Sequence, residues 1–459
     1  MNDNNRNILY IIIGLALFLC VCVSAIGVAG AGMFFITGRQ YVASPPNVVT
    51  QVAIPVPVST PGADGDIPSE VVAQMLEIEQ QVITLRGLPP NGEFDRALIT
   101  PEELRDRVTN DFFEEYTEED ARQDALVLAA FGLINPDFDF STFYIDLLSE
   151  GIAGFYDNES KEMVVVQGEA FAGPERLTYA HEYTHAFQDQ TYDIKNGLQY
   201  DDEPCEADSE RCAAIQALIE GDATVTELEW FVNYSTSQDQ REIQDFYADL
   251  NSPVFDSAPP FMQEDFVFPY NQGYEFVNSL FEAGGFPAID AAYANPPVST
   301  EQILHPDLYP DDAPIPVALP DLLPTLGEGW TLLDENVMGE WYTYLILARG
   351  IDPDTQLSEG DASDAAAGWG GDAYAVYLSP AGDSTALVLS TVWDTSTDAD
   401  EFAQAFEEYA TARFGPPTGD LAWEADGVVS VFALDGEQTI WISAPDLAAA
   451  QAILAAVQP

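Results

Sequence analysis

The sequence predicts an α+β protein: a mainly helical body carrying a small β-hairpin, then a C-terminal α+β part built from two ββα units. Three observations lead there. Helical patterns recur from about Pro68 to Ala294, a short strand-like stretch from Ile152 to Gln167 interrupts them, and beyond Thr325 two strand pairs are each followed by a helix.

The elements follow in chain order. Residues 1–6 form a short N-terminal segment, and from Asn7 to Gly38 no residue is charged. That run exceeds the roughly 20 apolar residues a spanning helix needs, so 7–38 reads as a transmembrane anchor. The expected address is therefore the cell membrane, single-pass, with the bulk of the chain extracytoplasmic. Residues 39–66 contain Pro45, Pro46, Pro55, Pro57 and Pro61 and read as an extended linker. A body over 67–325 and an accessory part over 326–459 complete the expected domains.

Within the body, helical periodicity starts near Pro68. It recurs over Pro101 to Phe113, with Thr100 as cap and Glu102 and Glu103 in the first turn, and over Glu118 to Phe131. Ile152 to Tyr156 and Glu162 to Gln167 flank Asp157-Asn158-Glu159-Ser160 as a hairpin, with Val164 to Gln167 as its candidate exposed edge. Further helices are expected at Pro174 to Gln190, Cys212 to Asn233, Gln238 to Leu250, Gln272 to Glu282 and Ala288 to Ala294. Cys205 and Cys212 form a close pair suited to a disulfide. In the tail a helix is expected from Asp334 to Ala348. Strands Ala373 to Leu378 and Ala386 to Trp393 then precede a helix from Ala399 to Phe414. The second unit pairs Val428 to Leu434 with Gln438 to Ser443 across the tight turn Asp435-Gly436, and ends in a helix from Asp446 to Val457.

Charge narrows the partners. With 78 acidic against 14 basic residues the formal net charge is −64. Phosphate binding needs lysine and arginine clusters that this chain lacks, so nucleic acid is excluded as a partner. Such self-repulsion is relieved by salt, which points to a salt-tolerant source; an acidic surface kept for solubility is the alternative. The sequence sets no oligomeric state.

Chemistry concentrates at His181-Glu182-Tyr183-Thr184-His185, which holds two of the three histidines in 459 residues. On a helix, positions i and i+4 share a face, so both imidazoles can reach one metal ion. Glu182 is the sole charge between Leu177 and Gln188, and metal-assisted hydrolysis supplies a reason for it as general base. A catalytic zinc takes a third protein ligand. Glu220 is favoured, because it interrupts the apolar run Ala213 to Ile219. His305 is the rival ligand, and otherwise a donor to a developing oxyanion, as Tyr270 and Tyr274 are too. Asp189 and Asp222 are candidates to orient the histidine rings. A di-iron reading fails because no second ExxH exists.

The segments Ala180-His181-Glu182-Tyr183-Thr184-His185-Ala186-Phe187-Gln188-Asp189-Gln190 and Leu218-Ile219-Glu220-Gly221-Asp222-Ala223 resemble the gluzincin metallopeptidases, the HExxH-plus-glutamate class of thermolysin. Within that class the resemblance is to a bacterial membrane-anchored group. It runs from about Gly151 to His305, and Gly368-Trp369-Gly370-Gly371-Asp372 resembles the same group. The resemblance implies a zincin-like catalytic domain with Zn2+ on His181, His185 and Glu220, Glu182 as base, and a peptide or protein substrate. The sequence departs from thermolysin in the wide gap between His185 and Glu220 and in lacking an asparagine just before that glutamate, which bears on substrate preference. A catalytically silent zincin-fold surface binding module is the alternative.

Overall fold

The computed structural model describes residues 67–458 apart from 89–91, 116, 152, 153, 159 and 167–169. The expected anchor at 7–38 and linker at 39–66 lie outside the described residues. Among the described residues no helix is long and apolar enough to cross a membrane, which corrects the expected single-pass placement.

The chain is a mixed α+β structure. Its body runs α1 (Ser69–Arg86), β1 (Asp95–Ile99), α2 (Pro101–Glu115), α3 (Glu118–Phe131), α4 (Phe140–Gly151), β2 (Gly154–Asp157) and β3 (Glu162–Val166). It continues through α5 (Gly173–Tyr192), α6 (Asp202–Ala207), α7 (Ser209–Tyr234), α8 (Ser237–Asp249), α9 (Pro253–Asp256), α10 (Pro260–Asp265), α11 (Phe268–Gly284), α12 (Phe286–Ala294) and α13 (Thr300–Leu304). The tail holds α14 (Leu323–Leu326), β4 (Thr331–Asn336), α15 (Gly339–Ala348), α16 (Glu359–Ala366), β5 (Trp369–Leu378), β6 (Thr385–Trp393) and α17 (Ser396–Phe414). It ends with β7 (Ala422–Ala425), β8 (Val428–Asp435), β9 (Gln438–Ala444) and α18 (Leu447–Val457). Local capping places several of these helices: Thr100 and Glu103 exchange bonds at the head of α2, and Thr117 and Asp120 do so at α3.

The small sheet has the order β1-β3-β2, with β1 parallel and β2 antiparallel to β3. This corrects the expected exposed edge at Val164 to Gln167. Val164 lies mid-sheet with strands on both sides, and Gln167 lies outside the described residues. The unforeseen strand β1 supplies the extra partner. A central strand covered on both faces is apolar at successive positions, and Met163, Val164 and Val165 are all buried. Helix α5 packs on this sheet and against α1 and α7. One apolar cluster, including Met75, Ile78, Val82, Val165, Leu177 and Tyr183, fills the space between α1, β3 and α5.

Helices α7 and α11 cross with almost no side chain between them. A Cβ at Gly221 would lie 2.2 Å from the Gly273 carbonyl oxygen, and one at Gly273 would lie 2.4 Å from that of Ala217. The two glycines therefore let the backbones touch directly beside Glu220.

The tail forms a six-stranded antiparallel sheet, β4-β5-β6-β9-β8-β7. The two ββα units meet along β6 and β9, and their helices cover opposite faces: α17 packs with Phe432 and Trp441, and α18 with Val431 and Ile442. Phe131 at the end of α3 stacks edge-on against Tyr374 and Trp441, so one hydrophobic core runs from the body into the tail. The helix expected from Asp334 begins only at Gly339. Residues 331–336 instead pair with β5, and the Asp372 carboxylate accepts from the N–H groups of Met338 and Gly339 at 2.7 and 2.9 Å, fixing the start of α15. The expected disulfide is present between Cys205 and Cys212, joining α6 to α7.

Candidate metal centre

His181 and His185 lie one turn apart on the buried helix α5, with their ring centroids 4.8 Å apart. Helix α7 delivers Glu220 between them: its Oε2 lies 3.3 Å from Nε2 of each imidazole. Donor atoms on a tetrahedral ion with bonds of about 2.0 Å stand about 3.3 Å apart, so the carboxylate-to-imidazole spacings suit zinc. All three ligand-capable atoms lie within 4.8 Å of one another, and all three residues are buried.

The surrounding hydrogen bonds decide the tautomers. Gln188 Nε2 donates to the Ile219 carbonyl at 2.9 Å and to Asp222 Oδ2 at 3.0 Å, which turns its Oε1 toward His185. That oxygen sits 2.9 Å from His185 Nδ1, so Nδ1 is the donor. His181 Nδ1 similarly faces Glu227 Oε2 at 2.8 Å. In a neutral imidazole one nitrogen donates and the other accepts, so both Nε2 lone pairs then point at a carboxylate that can only accept. Three lone pairs converge, and a cation is needed among them.

Without one, protons fill that need. Burial lowers the basicity of His181, but Glu220 and Glu227 outweigh it and carry the ring to about 10. For His185 burial also lowers the value, and Glu220 more than offsets it. Glu220 itself, despite burial, is held well below the usual carboxylate range by His185 and His181. Glu182 behaves differently. Burial raises it to about 7, and neither of its buried carboxylate oxygens has a hydrogen-bond partner among the described residues.

Several expected roles fall to other residues. Asp189 does not orient His185; it accepts from Tyr156 Oη at 2.8 Å and Lys161 Nζ at 2.6 Å. Asp222 acts one step removed, gripping Gln188 while it accepts from Arg86 at 2.7 Å and Tyr293 at 2.9 Å. His305 is not brought to the trio. Its Nε2 lies 2.8 Å from Glu340 Oε1 at the head of α15, where a buried carboxylate needs a donor. Of the other expected oxyanion donors, Tyr270 stands with its ring 6.4 Å from that of His181, whereas Tyr274 packs against the main core. Sequence reasoning missed Glu227 and Gln188. Glu227 had a signal, since seven residues from Glu220 on one helix returns to the same face.

Residues 330–454 match the model of a family described as a domain of unknown function (DUF8575). That match covers the tail and leaves the trio outside it. No curated protein and no solved structure matches the chain. None of these comparisons points to a metallopeptidase, so the expectation of one returns to the side chains of α5 and α7 for its support.

Proposed function

We propose that the chain is a zinc-dependent hydrolase of peptide bonds, with His181, His185 and Glu220 holding the metal and Glu182 as general base. The observation that carries this reading is the Glu182 carboxylate, buried and unpartnered beside three convergent lone pairs. Burying a carboxylate with nothing to bond is costly, and a site that moves protons gives it a use. The finer view of the body as zincin-like rests on the same layout: a buried HExxH helix under a small sheet, with a second helix bringing the glutamate.

Zinc held by His181, His185 and Glu220 would supply a water of lowered pKa, about 7, and a Lewis acid for the substrate carbonyl. The protein does the rest. Glu182, buried and without a hydrogen-bond donor among the described residues, accepts a proton from the attacking water and returns it to the leaving amine. Glu227 and the Gln188–Asp222 pair hold both imidazoles in the Nδ1–H tautomer, which leaves the Nε2 lone pairs to ligate. Tyr270, whose ring lies 6.4 Å from that of His181, is the candidate donor to negative charge developing there.

The test compares the full chain with Glu182→Gln. Both are expected to hold about one zinc, while hydrolysis across a peptide library falls by roughly 10²–10⁴ in the variant. Zinc without turnover in the wild type would replace the hydrolase by a silent binding module. Absence of zinc from the wild type would remove the metal centre altogether.

A further inference from the structure

A second acidic group lies where the body meets the tail. Glu301 on α13, Asp312 in the loop beyond it and Asp394 just after β6 bring one carboxylate oxygen each to within 4.8 Å of one another. No arginine, lysine or hydrogen-bond donor meets these three carboxylates among the described residues. Glu301 is only 3 % exposed, and its Oε1 is buried without a partner.

A second buried carboxylate with an orphaned oxygen stands on α15, the helix that packs against α13. Glu340, also 3 % exposed, gives Oε1 to His305 and leaves Oε2 buried and unpartnered. Its charge is the largest one felt by Glu301, and it couples to Asp394 as well. Burial first, then Glu340, Asp394 and Asp312, push Glu301 up to about 9.

The backbone is shaped to allow this crowding. A Cβ at Gly368 would lie 2.6 Å from Asp398 Cγ, and one at Gly370 would lie 3.1 Å from Asp394 Oδ1. The Gly368-Trp369-Gly370-Gly371-Asp372 segment, which the hydrolytic site does not use, thus lets the strand start pass close to the acids.

We propose that Glu301, Asp312 and Asp394 form a binding site for a hard divalent cation of the calcium class. Oxygen-only donors exclude a soft or borderline preference, and calcium, with bonds of about 2.3–2.6 Å, tolerates irregular carboxylate sets completed by water. Such an ion clamps α13 and its following loop to the end of β6.

The test uses the full chain, stripped on a chelating resin and reloaded with zinc. Calcium is expected to raise the melting temperature by a few degrees at saturation, as for any ligand of the folded state alone. Terbium should give luminescence sensitised by Trp393, the neighbour of Asp394. The paired variant Asp312→Asn and Asp394→Asn changes two side chains that are not buried, so its folding is not at stake. It should lose both responses at least tenfold in affinity. Equal stabilisation of wild type and variant, or the same shift with magnesium in both, would mean general charge screening and overturn the site. No response in the wild type would overturn it as well.

Discussion

The cluster of His181, His185 and Glu220 and the cluster of Glu301, Asp312 and Asp394 each gather three ligand-capable side chains, yet they are prepared by different means. In the first, every ring nitrogen that faces away from the centre is engaged: Glu227 takes one, and Gln188, held by Asp222 and Arg86, takes the other. In the second, backbone crowding brings the carboxylates together and none of the three is tied to a donor among the described residues. A network of fixed hydrogen bonds suits nitrogen ligands whose tautomer and direction matter. A loose ring of carboxylates suits a spherical cation that accepts many geometries.

The sharpest break of this contrast is Glu220→Ala. It removes the one carboxylate shared by both imidazoles, and zinc is expected to fall from about one per chain to none detectable by metal analysis. Asp394→Asn should leave zinc untouched. Equal zinc loss in the two variants would show that the clusters are not separate.

Arg86→Met comes next. Arg86 and Asp222 are paired with both side chains fully buried, and Arg86 also reaches Asp290 at 2.8 Å. Removing one partner strands a buried charge, so unfolding experiments should show a loss of about 3–5 kcal/mol. A loss below about 1 kcal/mol, the range of exposed pairs, would mean that the network is not as dry as its burial implies.

Gln188→Ala acts on one ring alone. His185 keeps its place on α5 but loses the group that fixes Nδ1 as donor. Zinc affinity should weaken by about 10–100-fold, read by competition with a chelator, beyond the roughly 1–3 kcal/mol of stability lost with its buried hydrogen bonds. The opposite result, stability lost and affinity kept, would make Gln188 a packing residue.

How much of this was legible in the sequence depends on range. The HExxH pair and the carboxylate in the apolar run before Gly221 are local patterns, readable from helical spacing and the cost of burying charge. Strand β1 was not, because its partner β3 lies more than sixty residues on and its own sequence, Asp95-Arg96-Ala97-Leu98-Ile99, hardly alternates. Strand β4 reads as helix because Asp334 to Ala348 has helical composition, and only pairing with β5 and the reach of Asp372 move the helix start to Gly339. Glu227 could have been read from its seven-residue spacing from Glu220, whereas Gln188 was hidden. Only the packing of α5 on α7, a tertiary event, brings Gln188 to the Ile219 carbonyl and to Asp222. The place of His305 was illegible because its partner Glu340 belongs to the tail.

Buried carboxylates elsewhere sharpen the comparison through pH. Asp265 accepts from Trp341 at 2.9 Å and Tyr342 at 2.7 Å, but has no cation beside it among the described residues, and burial raises it from its ordinary 3.8 to about 6. Between those values the folded chain holds a proton that the unfolded chain has released. Stability from this residue is therefore full below about 4 and lost as pH rises through about 6, the reverse of a salt-bridged carboxylate. Asp265→Asn should flatten the wild-type fall in unfolding free energy over that window by about 1–3 kcal/mol. An unchanged slope would place the titration on other groups.

The smallest effect separates the clusters by salt. At a net charge of −64 the chain repels itself, and shortening the Debye length to about 3 Å at 1 M should raise its melting temperature between dilute buffer and molar KCl. The clusters should divide within that trend. Asp394 and Asp312 are not buried, so potassium competes with calcium there and the calcium-induced increment should shrink severalfold. His181, His185 and Glu220 are buried behind their hydrogen-bonded partners, where mobile ions do not reach, and zinc content should not change. Calcium and zinc responding alike to KCl would mean that both sites are equally open to solvent, and the distinction between a built centre and a crowded one would fail.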